Sequence, residues 1–347
     1  MRNNISFKIL SLLVSVSTIV FGQYGYNHPE LVWNTIEGEH FIVHYHQGTE
    51  WTANEALFVA EDIYPAITGL YGYEPESKTH LIIKDTDDFA NGGAYYFDNK
   101  IEIWAMPLDY ELRGSHYWLR DVISHEFTHI ISLRASRKLS GNMPAGYFQI
   151  VQYEPDKRDD VLYGYPNGLI AYPLPSVTVP MWWAEGIAQH QSNDKRFDYW
   201  DSVRDMLTRD RIHHGKLFTF AEMDGFGKEG IGNESVYNQG FMFVNYLAKR
   251  FGEQVLQDIT NYISNPMSFN FYAGIASVTG HSAQSLYDDW VQEMNLDYES
   301  ILKSRSLSNI NMIQKEGIEN RDPKIRPETS ELTYISNSGQ SYMSLTH

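Results

Sequence analysis

The chain has 347 residues and no cysteine. Disulfides, thiolate catalysis and Cys-ligated zinc sites are therefore excluded, as is a lipoprotein anchor, which needs Cys after the signal. Cations are scarce: 27 Lys and Arg stand against 44 Asp and Glu, for a formal charge of −17. That excess argues against nucleic acid as a partner and against an anionic membrane surface. Long apolar runs are also scarce. The one candidate, Ile9 to Phe21, is shorter than the about 20 apolar residues that comfortably span a bilayer. It follows Arg2 and Lys8, and Val20 and Gly22 stand at the −3 and −1 positions of a cleavage site before Gln23. Residues 1–22 are therefore predicted to be a signal peptide. Their removal takes away two cations and carries the charge from −17 to −19. The mature chain is expected to be periplasmic or secreted, with no stable membrane insertion after signal cleavage. An exported chain without disulfides must be stabilised by its core and by any metal it holds.

What the chain has in quantity is apolar and aromatic side chain: 42% hydrophobic and 14% aromatic, with 24 Tyr and 8 Trp. This is enough for a sizeable core in one large domain or two smaller ones. His40–Tyr45 alternates and predicts a strand, and His80–Lys84 a second. Glu50–Tyr71 carries Ala56, Val59, Ala60, Ile63, Ile67 and Leu70 at helical spacing, with Pro65 expected to kink or divide the helix. Ala94–Trp104 reads as a hairpin turning at Asp98-Asn99. Residues 23–114 are thus predicted to form a mixed αβ layer.

The character changes after Gly114. Ser115 is a candidate N-cap for a helix running to about Leu139, with Gly141 beyond its end. Leu119, Val122, Ile123, Phe127, Ile130 and Ile131 form its apolar stripe. Asn142–Pro180 reads as a long, loop-rich stretch, either the wall of a cleft or an ordinary packed insertion. Helices are predicted at Met181–Gln191 and at about 197–209, 236–251, 254–263 and 283–303, so residues 115–305 are mainly helical. The tail has two short β-like runs, Leu332–Ser336 and Ser341–Leu345, joined by a turn containing Gly. The predicted class is α+β: an N-terminal mixed sheet layer, a mainly helical C-terminal half and a short β tail.

Residues 125–129 read His-Glu-Phe-Thr-His. On a helix, positions i and i+4 share a face, so His125 and His129 can grip one metal ion. Glu126 then projects where a general base for a metal-activated water belongs. The residue types point to zinc-dependent hydrolysis; the bland alternative is a pair of satisfied core histidines. A catalytic zinc needs three protein ligands and one open position. His190, His213 and His214 are available for the third. The better candidate is Glu185 in Trp182-Trp183-Ala184-Glu185-Gly186-Ile187-Ala188, where Gly and Ala let one helix approach another closely.

With these two motifs in order, the chain resembles the gluzincin metallopeptidases, in particular the aminopeptidase-N-like and peptidase MA-like domains. These follow H-E-x-x-H with W-x-x-E-G-x-A. The resemblance spans about residues 36–300. It departs in the gap, since 56 positions separate His129 from Glu185, more than the family usually has. The resemblance implies a zincin-like, thermolysin-like catalytic domain over residues 23–305, with Zn²⁺ on His125, His129 and Glu185. It also implies catalytic roles for Glu126 as base and for Tyr237 as oxyanion donor, since Tyr237-Asn238-Gln239-Gly240 matches the family's Y-x-x-G. The family's acidic partner four positions after the glutamate ligand is Gln189 here. Its Gly-x-Met-Glu-Asn amine anchor is missing from Asn91-Gly92-Gly93-Ala94, which favours endopeptidase over aminopeptidase activity on a peptide or protein substrate.

Two other functions stay open at this stage: a non-catalytic zinc-binding module that captures peptides or envelope proteins, and a zinc hydrolase of non-peptide bonds. Sequence fixes no oligomeric state. Residues 306–347 resemble a linker and the opening of a TolB-like β-propeller blade, with Pro327, Glu328 and Thr329 at the turn. One blade cannot bury its own faces, so either the chain is the N-terminal part of a longer protein or the tail is a short β-hairpin packed on the main domain.

Overall fold

The computed structural model describes residues 28–86, 88–108, 117–153, 156, 159, 166–190, 202–227, 232–303, 320–336 and 344–346. Residues 1–22, the predicted signal, and Ser115, the predicted cap, lie outside them. Alternating side chains build the first layer. Phe41 and Val43 on Phe41–His46 (β2), Leu81 and Ile83 on Thr79–Lys84 (β3), and Ile101 and Ile103 on Lys100–Trp104 (β5) all point inward and are fully buried. Trp33–Glu37 (β1) and Gly92–Tyr95 (β4) complete a five-stranded sheet in the order β1-β2-β3-β5-β4. Its centre is parallel and its two outer pairs are antiparallel. The fold is α+β with a mixed sheet.

Two helices cover the buried face. The first, Glu50–Tyr71 (α1), links β2 to β3 and has the predicted span. Pro65 lies within this one helix and does not divide it. Ile63 and Ile67, buried on either side, keep both halves on the core. Gly72, at φ 60°, ends the helix in the left-handed region that glycine tolerates. The second, Trp118–Ala135 (α2), carries the His-Glu-Phe-Thr-His segment. Phe127 packs edge-on against Phe41, with ring centroids 5.0 Å apart. This helix stops four residues short of the expected Leu139. Beyond it, Lys138 N donates to Ser176 O at 2.8 Å and the Lys138 ammonium donates to Ile263 O, so the chain is drawn away from the helical path. Buried Arg134 ties the end of α2 to the sheet layer, donating to Glu76 at 2.5 Å and to Tyr96 O at 2.9 Å.

Asn142–Pro180, expected from sequence to be loop-rich, contains two long strands among its described residues. Ala145–Tyr153 (β6) and Pro166–Pro175 (β7) pair as a long antiparallel ribbon. Tyr147, Phe148, Ile150 and Val151 supply β propensity on one strand, Leu169, Ile170 and Tyr172 on the other. Pro173 and Pro175 are tolerated because each strand of a two-stranded ribbon has a free edge. Neither face of the ribbon is buried: Tyr147, Phe148, Leu169 and Ile170 are all at least 60% exposed. Its base is closed by Ser176 N donating to Pro144 O at 2.9 Å.

The helical half follows: Met181–Gln189 (α3), Ser202–His213 (α4), Phe220–Met223 (α5), Gly232–Phe251 (α6), Gln254–Ile263 (α7), Phe271–Thr279 (α8) and Ala283–Lys303 (α9). The α7 and α9 spans are as predicted. The α6 helix begins a turn earlier than Val236, and α4 runs on to His213 rather than ending at Arg209; its predicted start, at 197, lies outside the described residues. Strand β1 and helices α5 and α8 had no predicted counterpart. Trp182, Trp183, Phe243, Phe271 and Trp290 form the aromatic core here. The tail forms a separate three-stranded antiparallel sheet of Asn320–Ile325 (β8), Leu332–Ser336 (β9) and Ser344–Thr346 (β10). The Pro327-Glu328-Thr329 turn joins β8 to β9; β8 was not predicted. Among the described residues no helix is long and apolar enough to cross a membrane.

Candidate metal centre and cleft

Helix α2 presents His125 and His129 on one face, one turn apart. Helix α3 brings Glu185 to them. The Nε2 atoms of the two histidines lie 3.1 Å apart, and Glu185 Oε2 lies 3.0 Å from His125 Nε2 and 3.3 Å from His129 Nε2. Three donors about 2.1 Å from a tetrahedral ion stand about 3.4 Å from one another. The triangle is thus close to one face of such a tetrahedron, and it can hold a metal ion. Among the described residues, no other group of three His, Asp or Glu side chains does so. His190 caps the end of α3 with its Nε2 4.0 Å from Glu253, and His213 and His214 sit exposed at the end of α4. None of the three joins the cluster.

The electrostatics suit a cation. Burial penalises the Glu185 carboxylate, but the imidazoles of His129 and His125 outweigh it and hold the carboxyl well below its usual range. Burial also opposes charge on His129, yet Glu185, with Glu126 behind it, raises its pKa above the ordinary histidine value. A site that draws a proton onto a buried imidazole draws a metal cation by the same field.

The approach of α3 to the rest of the site depends on two glycines. A Cβ at Gly186 would stand 2.6 Å from the carbonyl carbon and oxygen of Gly240, and one at Gly240 would stand 2.4 Å from Trp182 O. The backbones of α3 and α6 therefore touch. Glu185 precedes one of these glycines, and Tyr237 lies one turn before the other, so a single contact positions both. The Tyr237 ring centroid lies 6.1 Å from that of His125, and the ring stacks on Phe226 at 5.4 Å.

The sheet reaches the site through β4. A Cβ at Gly92 would stand 2.4 Å from Val122 Cγ2 and 3.1 Å from Glu126 Oε1. Only a bare backbone lets this strand lie against the Glu126 carboxylate. Glu126, His125 and Tyr237 then line one cleft of about 100 Å³ together with Asn91, Gly92, Leu108, Trp118, Asp121, Val122, Gln189 and Arg204. Of the metal triangle, His125 lines this cleft. All five site residues singled out from sequence are brought together. Sequence did not point to Arg204, which is 4% exposed and enters the cleft from α4. It sits in a polar helix whose pattern resembles a solvated surface, so no signal marked it. Gly92 was visible as one of two glycines, but its contact with Glu126 was not.

Two buried atoms at the site, His129 Nδ1 and Gln189 Oε1, have no hydrogen-bond partner among the described residues. Comparison with protein-family models and with curated proteins finds no match to this chain.

Proposed function

We propose that the chain is an exported zinc-dependent peptidase of zincin-like fold, acting as an endopeptidase on peptide or protein substrates. The observation that carries this reading is the convergence of His125 Nε2, His129 Nε2 and Glu185 Oε2 within 3.0–3.3 Å, with Glu126 and Tyr237 lining the adjoining cleft. Two imidazoles and a carboxylate near tetrahedral spacing favour zinc over magnesium or calcium, which prefer six or more oxygen ligands. When bound, the ion supplies Lewis acidity that acidifies a water and polarises a carbonyl.

The protein's own groups do the rest. Glu126, held against Gly92, takes a proton from the attacking water at its carboxylate and delivers it to the leaving amine. Tyr237 donates its hydroxyl to the oxyanion that develops on the scissile carbonyl. Among the described residues strand β4 is the last of its sheet, so its outer edge offers backbone groups to an extended peptide. It carries Gly92 and Gly93 where an amine-holding glutamate would stand, which supports internal cleavage. In this reading the catalytic domain covers residues 23–305, is exported on removal of residues 1–22, and precedes a TolB-like β-propeller beginning within 306–347. The three-stranded sheet of the tail supports that continuation.

The test is metal analysis with a peptide-library digest of the wild type beside Glu126→Gln. The expected result is about one zinc per chain in both, internal cleavage by the wild type and none by the variant. A fully active Glu126→Gln protein refutes the mechanism.

A further inference from the structure

The two outer edges of the β6–β7 ribbon are not equivalent. Pro173 faces Tyr147 across the ladder, and Pro175 faces Ala145. A proline has no N–H to give, so neither of these pairs exchanges hydrogen bonds. The bonded pairs alternate with them, among them Phe148 with Tyr172 and Ile150 with Ile170. The backbone groups of Ala145, Tyr147, Gln149 and Val151 therefore point away from β7, to the outer edge of β6. Those of Leu169, Ala171, Pro173 and Pro175 point to the outer edge of β7. The β7 edge thus lacks two donors, whereas the β6 edge has its full set.

An open edge strand is a template for another strand, and proteins guard such edges with proline, charge or bulges. The prolines guard β7. Over Ala145–Val151, β6 has neither proline nor charge, and its register slips only beyond, between Gln152 and Tyr153. Neither strand of the ribbon contains Asp, Glu, Lys or Arg, on a chain of formal charge −17. Two copies can meet here without the like-charge repulsion that their acidic surfaces impose elsewhere.

The sequence of β6 also fits its own copy run antiparallel. With a two-fold axis at Gln149, Phe148 of one copy lies across from Ile150 of the other, and Tyr147 across from Val151. These are aromatic and β-branched partners, a favourable cross-strand combination. The outward groups of Tyr147, Gln149 and Val151 then exchange about six hydrogen bonds between the copies. A bilayer would cover the exposed faces of the ribbon but leave the β6 edge unpaired in hydrocarbon, which is costly.

We propose that this chain forms a two-fold dimer by antiparallel pairing of β6 with β6 of a second copy. The product is a four-stranded sheet in the order β7-β6-β6-β7. Both of its outer edges are the proline-bearing strand, so assembly closes at two copies. Few residues pair, so association is weak and depends on concentration.

Sedimentation velocity of the full chain from about 1 to 100 µM is expected to show a monomer–dimer equilibrium. Gln149→Lys sets two like charges across the axis and should weaken the dimer about tenfold or more. Gln149→Pro should do the same, because the N–H it removes is not used within the ribbon. Zinc content and circular dichroism report whether each variant keeps its fold. Should Gln149→Pro lose the ribbon, Gln149→Lys and a cross-link still decide. The chain has no cysteine, so one added thiol locates the axis. Gln149→Cys should oxidise to a covalent dimer. Gln152→Cys should not, since its two copies would stand about 20 Å apart along the strands. A wild type that stays monomeric at the top of the concentration range overturns the proposal. So does a dimer that folded Gln149→Lys leaves unweakened, or cross-linking no better at Gln149→Cys than at Gln152→Cys. A monomer that floats with phosphatidylcholine vesicles also overturns it and assigns the ribbon to lipid.

Discussion

A methyl group added at Gly240 has no free space to enter. Its carbon would stand 2.4 Å from Trp182 O, and below 3.0 Å such contacts are essentially never found. The obstructing atom is helix backbone, so a side-chain rotation cannot relieve it. The helices α3 and α6 must part by at least about 0.6 Å, a displacement of the overpacking kind that costs about 1–3 kcal/mol. Alanine returns up to about 1 kcal/mol through its higher helix propensity, leaving a net loss of about 1–2 kcal/mol. The same displacement acts on the metal centre, because Glu185 rides on α3 while His125 and His129 stay on α2. Metal–ligand distances tolerate only about 0.2 Å. Gly240→Ala is therefore expected to lower zinc affinity at least tenfold, read by competition with a chromogenic chelator. Its melting temperature in excess chelator should fall by a few degrees, which separates the packing cost from the metal. Gly69→Ala is the control: it lies in α1 with nothing near its added carbon, and it should leave zinc affinity unchanged and raise stability slightly. A Gly240→Ala protein with wild-type zinc affinity and wild-type apo stability would refute the close-approach argument.

Tyr237→Phe should retain zinc and lose about 10²–10³-fold in kcat with KM little changed, the signature of a lost oxyanion donor; an equal loss confined to KM would contradict it. Burial would raise the Glu76 carboxyl, but its backbone hydrogen bond and Arg134 prevail and lower it to about 2. A carboxyl depressed on folding contributes stability above its ordinary value of 4.5, and that contribution disappears as pH falls from there toward 2. Glu76 is 63% exposed as a side chain, so screening limits the effect, and Glu76→Gln should cost about 1 kcal/mol at neutral pH, with the gap to wild type closing in urea melts toward pH 2. Replacing residues 145–175 by a two-glycine turn should leave zinc affinity within about threefold, because the ribbon is paired within itself; loss of the metal site on chelator competition would show that the ribbon supports it.

The site was more legible in sequence than the path between its parts. The span of α1 could be read from Ala56, Val59, Ile63 and Ile67 because a helix lying on a sheet buries one stripe. His125, Glu126 and His129 carry their geometry in their spacing, and Gly186 announced a close helix contact before its partner Gly240 was visible. The ribbon was illegible for the opposite reason. It buries neither face, so Tyr147, Phe148, Ile170 and Tyr172 show no alternation between core and solvent, and Pro173 and Pro175 resemble loop residues. Strand β1 is mostly exposed, and α8 is rich in aromatic and β-branched residues, so neither displayed the period of its class. Arg204 could not be found because a buried arginine is defined by what surrounds it.

The ribbon bears on how the chain finds its fold. To bring Glu185 to His129 directly, the chain must close a loop of 56 residues. Once β6 and β7 have zipped together, Lys138 meets Ser176, and only the short arms 129–138 and 176–185 remain to be ordered. Because the entropy of closure grows with the logarithm of loop length, this shortcut makes the final step easier by about 1 kcal/mol. A hairpin is a local structure that forms in microseconds, well before long-range docking of helices. Replacing the same residues with a flexible linker of equal length would keep every metal ligand, yet should slow assembly of the centre about fivefold.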